Sequence, residues 1–115
     1  MMDVERFGGI ARLYGTSPAE RLAAARVAVV GIGGVGSWAA EALARSGVGT
    51  LEIVDHDTIS RSNINRQIIA LDSTVGKDKV EVMAERIKEI NPNCRVIPRK
   101  EFFLPENAHL FDFSK

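Results

Sequence analysis

The chain has 115 residues, with 15 Lys plus Arg against 15 Asp plus Glu and a formal net charge of zero. That length supports one domain burying about two thirds of its unfolded surface. The balanced charge gives no support for non-specific attachment to nucleic acid or membrane, though a nucleic-acid substrate held by a local patch stays open. No apolar run approaches the ~20 residues of a membrane span, and Met-Met-Asp-Val-Glu-Arg has no signal-peptide character. A single cysteine, Cys94, excludes an internal disulfide, and a cytoplasmic protein is the simplest expectation.

Residues 4–13 read as a short helix weakened by Gly8 and Gly9. Ser17-Pro18-Ala19-Glu20 predicts a helix start with Ser17 as N-cap, ending near Ala25. Residues 26–30 form the first apolar strand. A helix is predicted from Gly34 to Ser46, with Gly47 as its C-cap and alanines 39, 40, 42 and 44 packing on a sheet. Thr50–Val54 is the second strand, and residues 55–76 are polar and irregular. Val80, Met83, Ala84 and Ile87 repeat at i, i+3, i+4, i+7, which predicts a helix over Lys77–Ile90. Asn91-Pro92 ends it. Arg95–Pro98 is the third strand, pushed to an edge by Pro98, and Pro105-Glu106-Asn107 opens a last short helix. The β-α-β-α-β-α pattern predicts a Rossmann-like, three-layer α/β fold with a parallel sheet of order 3-2-1. The pattern stops before a fourth strand, so residues 1–115 read as the N-terminal half of a larger domain.

The richest segment runs from Arg26 to Asp57. Strand 26–30 leads into Gly31-x-Gly33-x-x-Gly36, a helix follows, and the second strand ends at Asp55, 19 residues after Gly36. Gly31 permits the tight turn, Gly33 lets backbone approach a phosphate, and Gly36 lets the helix lie close to the sheet. The helix start offers N–H groups and a partial positive charge to an anion. Asp55 is spaced to accept hydrogen bonds from ribose hydroxyls. Beyond it, Asp-His-Asp-Thr-Ile-Ser-Arg-Ser-Asn-Ile-Asn-Arg-Gln (55–67) and Thr-Val-Gly-Lys-Asp-Lys-Val (74–80) place cations, amides and two acids past the C-terminal edge of the sheet, where open α/β folds bind ligands. Singly these are ordinary surface residues. Behind a glycine turn they favour a nucleoside triphosphate over a dinucleotide, because β and γ phosphates need cations and amide donors.

These motifs resemble the adenylation core of the ubiquitin-activating superfamily, whose bacterial members activate sulfur-carrier proteins for molybdopterin and thiamine synthesis. The likeness covers nearly all of residues 6–98, and Ser-Asn-x-Asn-Arg-Gln is specific to the superfamily. Arg-Phe-Gly-Gly-x-Ala-Arg-Leu-Tyr-Gly (6–15) and Gly-Ser-Trp-Ala-Ala-Glu-Ala-Leu-Ala-Arg (36–45) most resemble the tRNA threonylcarbamoyladenosine dehydratase branch. The resemblance implies ATP-dependent adenylation of a carboxylate with Mg2+, and tRNA as substrate. It implies that Gly31, Gly33 and Gly36 shape the phosphate turn and that Asp55 holds the ribose. Asn63, Arg66 and Lys79 would contact the triphosphate, Gln67 would order the loop, and Asp57 would lie on the metal side. Arg66 and Lys79 would be the catalytic cations, stabilising charge as a carboxylate attacks the α-phosphate and pyrophosphate leaves. The resemblance also implies a homodimer and a link to a cysteine desulfurase system.

Three departures accompany it. Sulfur-carrier activators carry Arg-Tyr-x-Arg-Gln near the start, where the second Arg reaches a partner's ATP; that position is Gly9 here, and Arg12 follows about a turn later. The family's magnesium-binding Asp and its downstream cysteines have no counterpart, so no protein metal ligand is assigned. Cys94 reads as a small buried side chain rather than a reactive thiol. Trp38 reads as a packing residue and His56 as a loop residue, a catalytic base being the lesser reading. Phe102, Phe103, Phe111 and Phe113 read as core or buried-interface residues. Three alternatives remain open: adenylation of a ubiquitin-like sulfur carrier, an NAD-binding oxidoreductase, and a nucleotide-binding fragment without turnover. The isolated chain is expected to lack adenylation activity and to self-associate through its first strand, or else to be the ordered part of a longer polypeptide.

Overall fold

The computed structural model describes residues 3–102. Their order is α1 (Val4–Tyr14), α2 (Thr16–Ala24), β1 (Arg26–Val30), α3 (Gly36–Arg45), β2 (Thr50–Val54), a 3-10 turn (Arg61–Asn65), α4 (Lys79–Ile90) and β3 (Arg95–Arg99). The expected last helix and Phe103, Phe111 and Phe113 lie outside the described residues. The sheet is parallel throughout, with β2 between β1 and β3. Register pairs Arg26 with Thr50 and Thr50 with Arg95, so all three strands begin and end together.

The crossover helices α3 and α4 contact the strands and each other. Their apolar stripes meet Leu51 and Ile53 of β2 in one core with Ala40, Ala44, Val80, Met83 and Ile87. Ala40 and Ala44, one turn apart, are fully buried, whereas Ala42 is exposed; only the i, i+4 pair of the alanine set reaches the sheet. Cys94 is fully buried beside this core, and burial pushes its thiol above the ordinary value, which disfavours the reactive thiolate. The central strand β2 is the most buried. β1 is half-buried and among the described residues pairs on one side only, with Val30 at 52% exposure.

Helix boundaries shift for identifiable reasons. α1 runs through Gly8 and Gly9, capped by Asp3, whose Oδ1 accepts from the Arg6 N–H. Ser17 is not an N-cap. Gly15, at φ +101°, starts α2 directly after α1; Ser17 lies inside the first turn, where its Oγ accepts from Arg21 Nη1 at 3.0 Å. The α1–α2 pair meets the N-terminal end of the sheet through a very close backbone approach. A Cβ on Gly49 would stand 1.8 Å from the Ala23 carbonyl oxygen, and the Gly49 N–H donates to Leu22 O. α4 begins at Lys79 rather than Lys77, because Gly76–Asp78 are held in an antiparallel bridge to the loop after β2. Ile59 N–H donates to Lys77 O and Gly76 N–H to Ile59 O, both at 2.8 Å.

A charged tie joins the two crossover helices. Glu41 of α3 accepts from Arg45 Nε at 3.1 Å and pairs with Arg86 of α4. The Arg86 hydrogen bond, opposed by burial and helped by Arg45, holds the Glu41 carboxyl below the usual range. A lowered carboxyl pKa contributes stability above the unfolded value, about 4.3 for Glu, and loses it as pH falls through the folded value. Glu41→Gln should cost about 1–2 kcal/mol at pH 7, discounted because the Arg86 side chain is 39% exposed. The difference from the parent protein in thermal midpoint should shrink steadily on acidification below pH ~4. A midpoint difference independent of pH would show that the pair does not carry this contribution.

Candidate functional site

Where β1 ends, the chain turns through Gly31, at φ +91°, a region open to glycine at little cost. The Gly31 N–H still donates to Val54 O at 2.7 Å, so the turn grows directly from the strand ladder. Ile32 then plugs the core, fully buried. Gly36 opens α3 so close to the turn that a Cβ there would lie 1.6 Å from the Gly31 carbonyl oxygen. At Gly33 a Cβ would meet only Gln67 Nε2, at 3.7 Å. The space over Gly33 is therefore not filled by protein. α3 has no side-chain cap, and the N–H groups of Gly33, Gly34, Val35 and Gly36 have no backbone partner among the described residues. Unpaired amides at a helix start form an anion cradle.

Asp55 stands at the tip of β2, its N–H donating to Arg99 O at 3.1 Å. Its carboxylate bridges two loops: Oδ2 accepts from the Ile32 N–H at 2.7 Å and Oδ1 from the Asp57 N–H at 2.8 Å. Each oxygen keeps further acceptor capacity for a ligand hydroxyl. A cavity of about 210 Å3 opens here, lined by Val30, Gly31, Val54, Asp55, His56 and Phe102 among others. Larger cavities, of about 380 and 550 Å3, lie by Gly49 and along α1–α2. They are remote from the glycine turn, and chemistry rather than size selects the smaller one. His56 stacks on Phe102 at 3.8 Å between ring centroids and stands 4.0 Å from Asp55 Oδ1 and 3.8 Å from Asp57 Oδ1.

The 3-10 turn presents Asn63, Arg66 and Gln67. Asn63 is buried and its Oδ1 accepts from the Ser60 N–H at 2.9 Å, while its carbonyl accepts from the N–H groups of Arg66 and Gln67. The carbonyl side of its amide thus shapes the loop. Gln67 is buried beside Gly33, and its Oε1 has no hydrogen-bond partner. Arg66 is exposed. Its stem lies over the turn, 3.7 Å from where a Gly34 Cβ would stand, and its Nη1 donates only to Ser62 O and Asn65 Oδ1. No carboxylate neutralises it among the described residues. Lys79 reaches the same end of the sheet because its N–H donates to Asp57 O at 3.1 Å. It is 7% exposed, and its ammonium has no ion pair among the described residues. Asp57 itself has an exposed side chain. Gly31, Gly33, Gly36, Asp55, Asp57, Asn63, Arg66, Gln67 and Lys79 thus lie at the C-terminal edge of the sheet or in the loops packed on it.

Trp38 is different from its sequence reading. It is 53% exposed, and its indole Nε1–H donates to the Arg66 carbonyl at 2.9 Å. No sequence spacing announces a bond across 28 residues. Arg12 lies back along its own helix, with Nη1 3.4 Å from a Cβ position on Gly8 and Nη2 3.7 Å from one on Gly9.

A family model described as the ThiF family matches residues 9–114. The tRNA threonylcarbamoyladenosine dehydratase of Escherichia coli (strain K12) is 56% identical over 104 residues, covering 90% of this chain and 39% of that protein. The adenylyltransferase and sulfurtransferase uba4 of Aspergillus clavatus is 43% identical over 88 residues, 76% of this chain and 18% of that protein. The crystal structure of the E. coli dehydratase in complex with ATP superposes with a TM-score of 0.92 at 54% identity, over 93% of this chain and 44% of that one. The chain spans about two fifths of the length of the dehydratase it matches. With a family model over most of its length and a parallel sheet that carries the glycine turn, the chain belongs to the ThiF family.

Proposed function

We propose that this chain supplies the nucleotide-binding half of an adenylation domain, and that the whole protein uses ATP to activate the carboxylate of threonylcarbamoyladenosine in tRNA for ring closure with net loss of water. The observation that carries the reading is Arg66, a cation without a carboxylate partner among the described residues, lying over a turn of unpaired amides. A triphosphate satisfies both. The name of the E. coli relative and its ATP complex support tRNA and ATP as substrates. Resemblance to uba4 supports a second reading, in which the carboxylate belongs to a ubiquitin-like sulfur carrier, at lower identity. An NAD oxidoreductase has little use for Arg66 and Lys79 at that place. A homodimer, a cysteine desulfurase partner and a cytoplasmic location belong to the same proposal; no helix among the described residues is long and apolar enough to cross a membrane.

In this mechanism the amides of Gly33 to Gly36 hold phosphate oxygens, and Asp55 accepts from the ribose. Arg66 and Lys79 oppose the charge that develops as the carboxylate oxygen attacks the α-phosphorus and the bond to pyrophosphate breaks. Asn63 and Gln67 keep the arginine loop against the turn. The described residues contain no cluster of three metal-ligating side chains. Mg2+ carried by a triphosphate needs only one or two protein carboxylates, and exposed Asp57 fits that part. When bound, the ion would offset phosphate charge.

Two glycine variants separate fold from site. Gly33→Val should keep the circular dichroism spectrum and lose ATP affinity by more than ~10-fold in calorimetry, since its side chain enters phosphate space. Gly36→Ala should instead unfold or strongly destabilise the protein, because its Cβ collides with backbone. Undiminished ATP affinity in a folded Gly33→Val protein would remove the site. Titration with NAD should give no heat where ATP with magnesium does.

Arg66→Ala in the full-length protein should lower ATP–pyrophosphate exchange by ~100-fold or more, the usual loss when a charge-stabilising donor is removed. A fall of less than about tenfold would make Arg66 a loop residue.

A further inference from the structure

We propose that Trp38 is a positioning residue for the adenylation reaction, holding the Arg66 guanidinium in place through the Arg66 carbonyl. The inference rests on the proposed role of Arg66. Trp38 stands on the first turn of α3, two residues after Gly36 of the glycine cradle, and donates its indole N–H to Arg66 O at 2.9 Å. An exposed tryptophan needs an explanation, because 53% of its large apolar surface meets solvent. Core packing does not supply one; a bond to the loop that carries the cation does.

The geometry makes this bond the side-chain link between cradle and cation. Arg66 follows the 3-10 turn, anchored behind by its own N–H to Asn63 O at 3.1 Å. Its guanidinium touches only neutral acceptors of the same loop, Ser62 O and Asn65 Oδ1. Its stem lies beside Gly34 without a hydrogen bond to it. Trp38 therefore fixes the peptide from which the Arg66 side chain springs, relative to the helix whose first amides form the cradle. A displacement of the charge by an ångström costs far more in the transition state than in ground-state binding. Loss of the bond should appear mainly in kcat.

The test is a double-mutant cycle in the full-length protein, read by ATP–pyrophosphate exchange. Trp38→Phe keeps the aromatic ring and deletes the donor. It should lower kcat about fivefold to tenfold, the scale of one hydrogen bond, with KM for ATP changed less than twofold and thermal midpoint nearly unchanged. In an Arg66→Ala background it should have no further effect, because it acts through Arg66. A second readout compares the tryptophan fluorescence of the parent protein with that of Trp38→Phe, the difference isolating Trp38, the one tryptophan of residues 1–115. Its fluorescence should shift on ATP addition in the parent protein, and less in Arg66→Ala. Undiminished kcat in Trp38→Phe, or a loss that adds fully to that of Arg66→Ala, would overturn the inference while leaving the role of Arg66 intact. If Arg66→Ala retains exchange, or the parent protein neither exchanges nor shifts with ATP, the functional reading fails and this inference with it.

Discussion

The carboxylate of Asp55 is the constraint on which the site depends. It accepts at once from the Ile32 N–H in the glycine turn and from the Asp57 N–H in the following loop. Two chain segments that diverge from adjacent strands are thereby held at one fixed separation. Charge-assisted hydrogen bonds to backbone are among the stronger polar contacts, and each restrains a loop that no strand pairing controls. The Asp57 peptide then carries the consequence onward, because its carbonyl receives the Lys79 N–H. One aspartate thus sets the turn, the acidic loop and the start of α4 relative to one another. A residue expected only to face the ribose is first a structural brace.

That double duty explains which parts were legible in the sequence. The strands, α3, α4 and the glycine roles follow from local pattern: short, mainly apolar runs, a 3.6-residue stripe ending at Ile87, and glycines at fixed spacing. Gly31 and Gly36 perform the tasks their positions imply, one by positive φ and the other by backbone contact. The misses are all long-range or competitive. Ser17 loses its cap to Gly15. α4 loses its first two expected residues to the Thr58–Asp78 bridge. Trp38 exchanges a packing role for a bond across 28 residues. Glu52, the acid within the second strand, is buried and paired with Arg99 of the neighbouring strand. None of these partners is named by local spacing.

Several cations of the fold are matched by carboxylates: Arg86 and Arg45 with Glu41, Arg99 with Glu52, Lys100 with Asp78, Arg6 with Asp3. At the C-terminal edge of the sheet, Arg66 donates only to neutral oxygens, and the Lys79 ammonium is ion-paired with nothing among the described residues, although Lys79 is mostly buried. Gln67 adds a buried acceptor without a donor. A mostly buried ammonium without an ion pair and a buried acceptor without a donor carry a local cost.

Such a cost persists where a ligand removes it, and local rules are most often broken at functional positions. Apart from the Gln67 Oε1 acceptor, the unmatched groups share one sign. Four amide hydrogens and two cations are positive or partly positive; an anion with several oxygens answers all of them. The space over Gly33 is left open by the protein, and filling it with a side chain would meet only Gln67. On the proposed reading the ligand is polyanionic at the cradle and near Arg66 and hydroxyl-bearing where Asp55 stands, features that a nucleoside triphosphate combines.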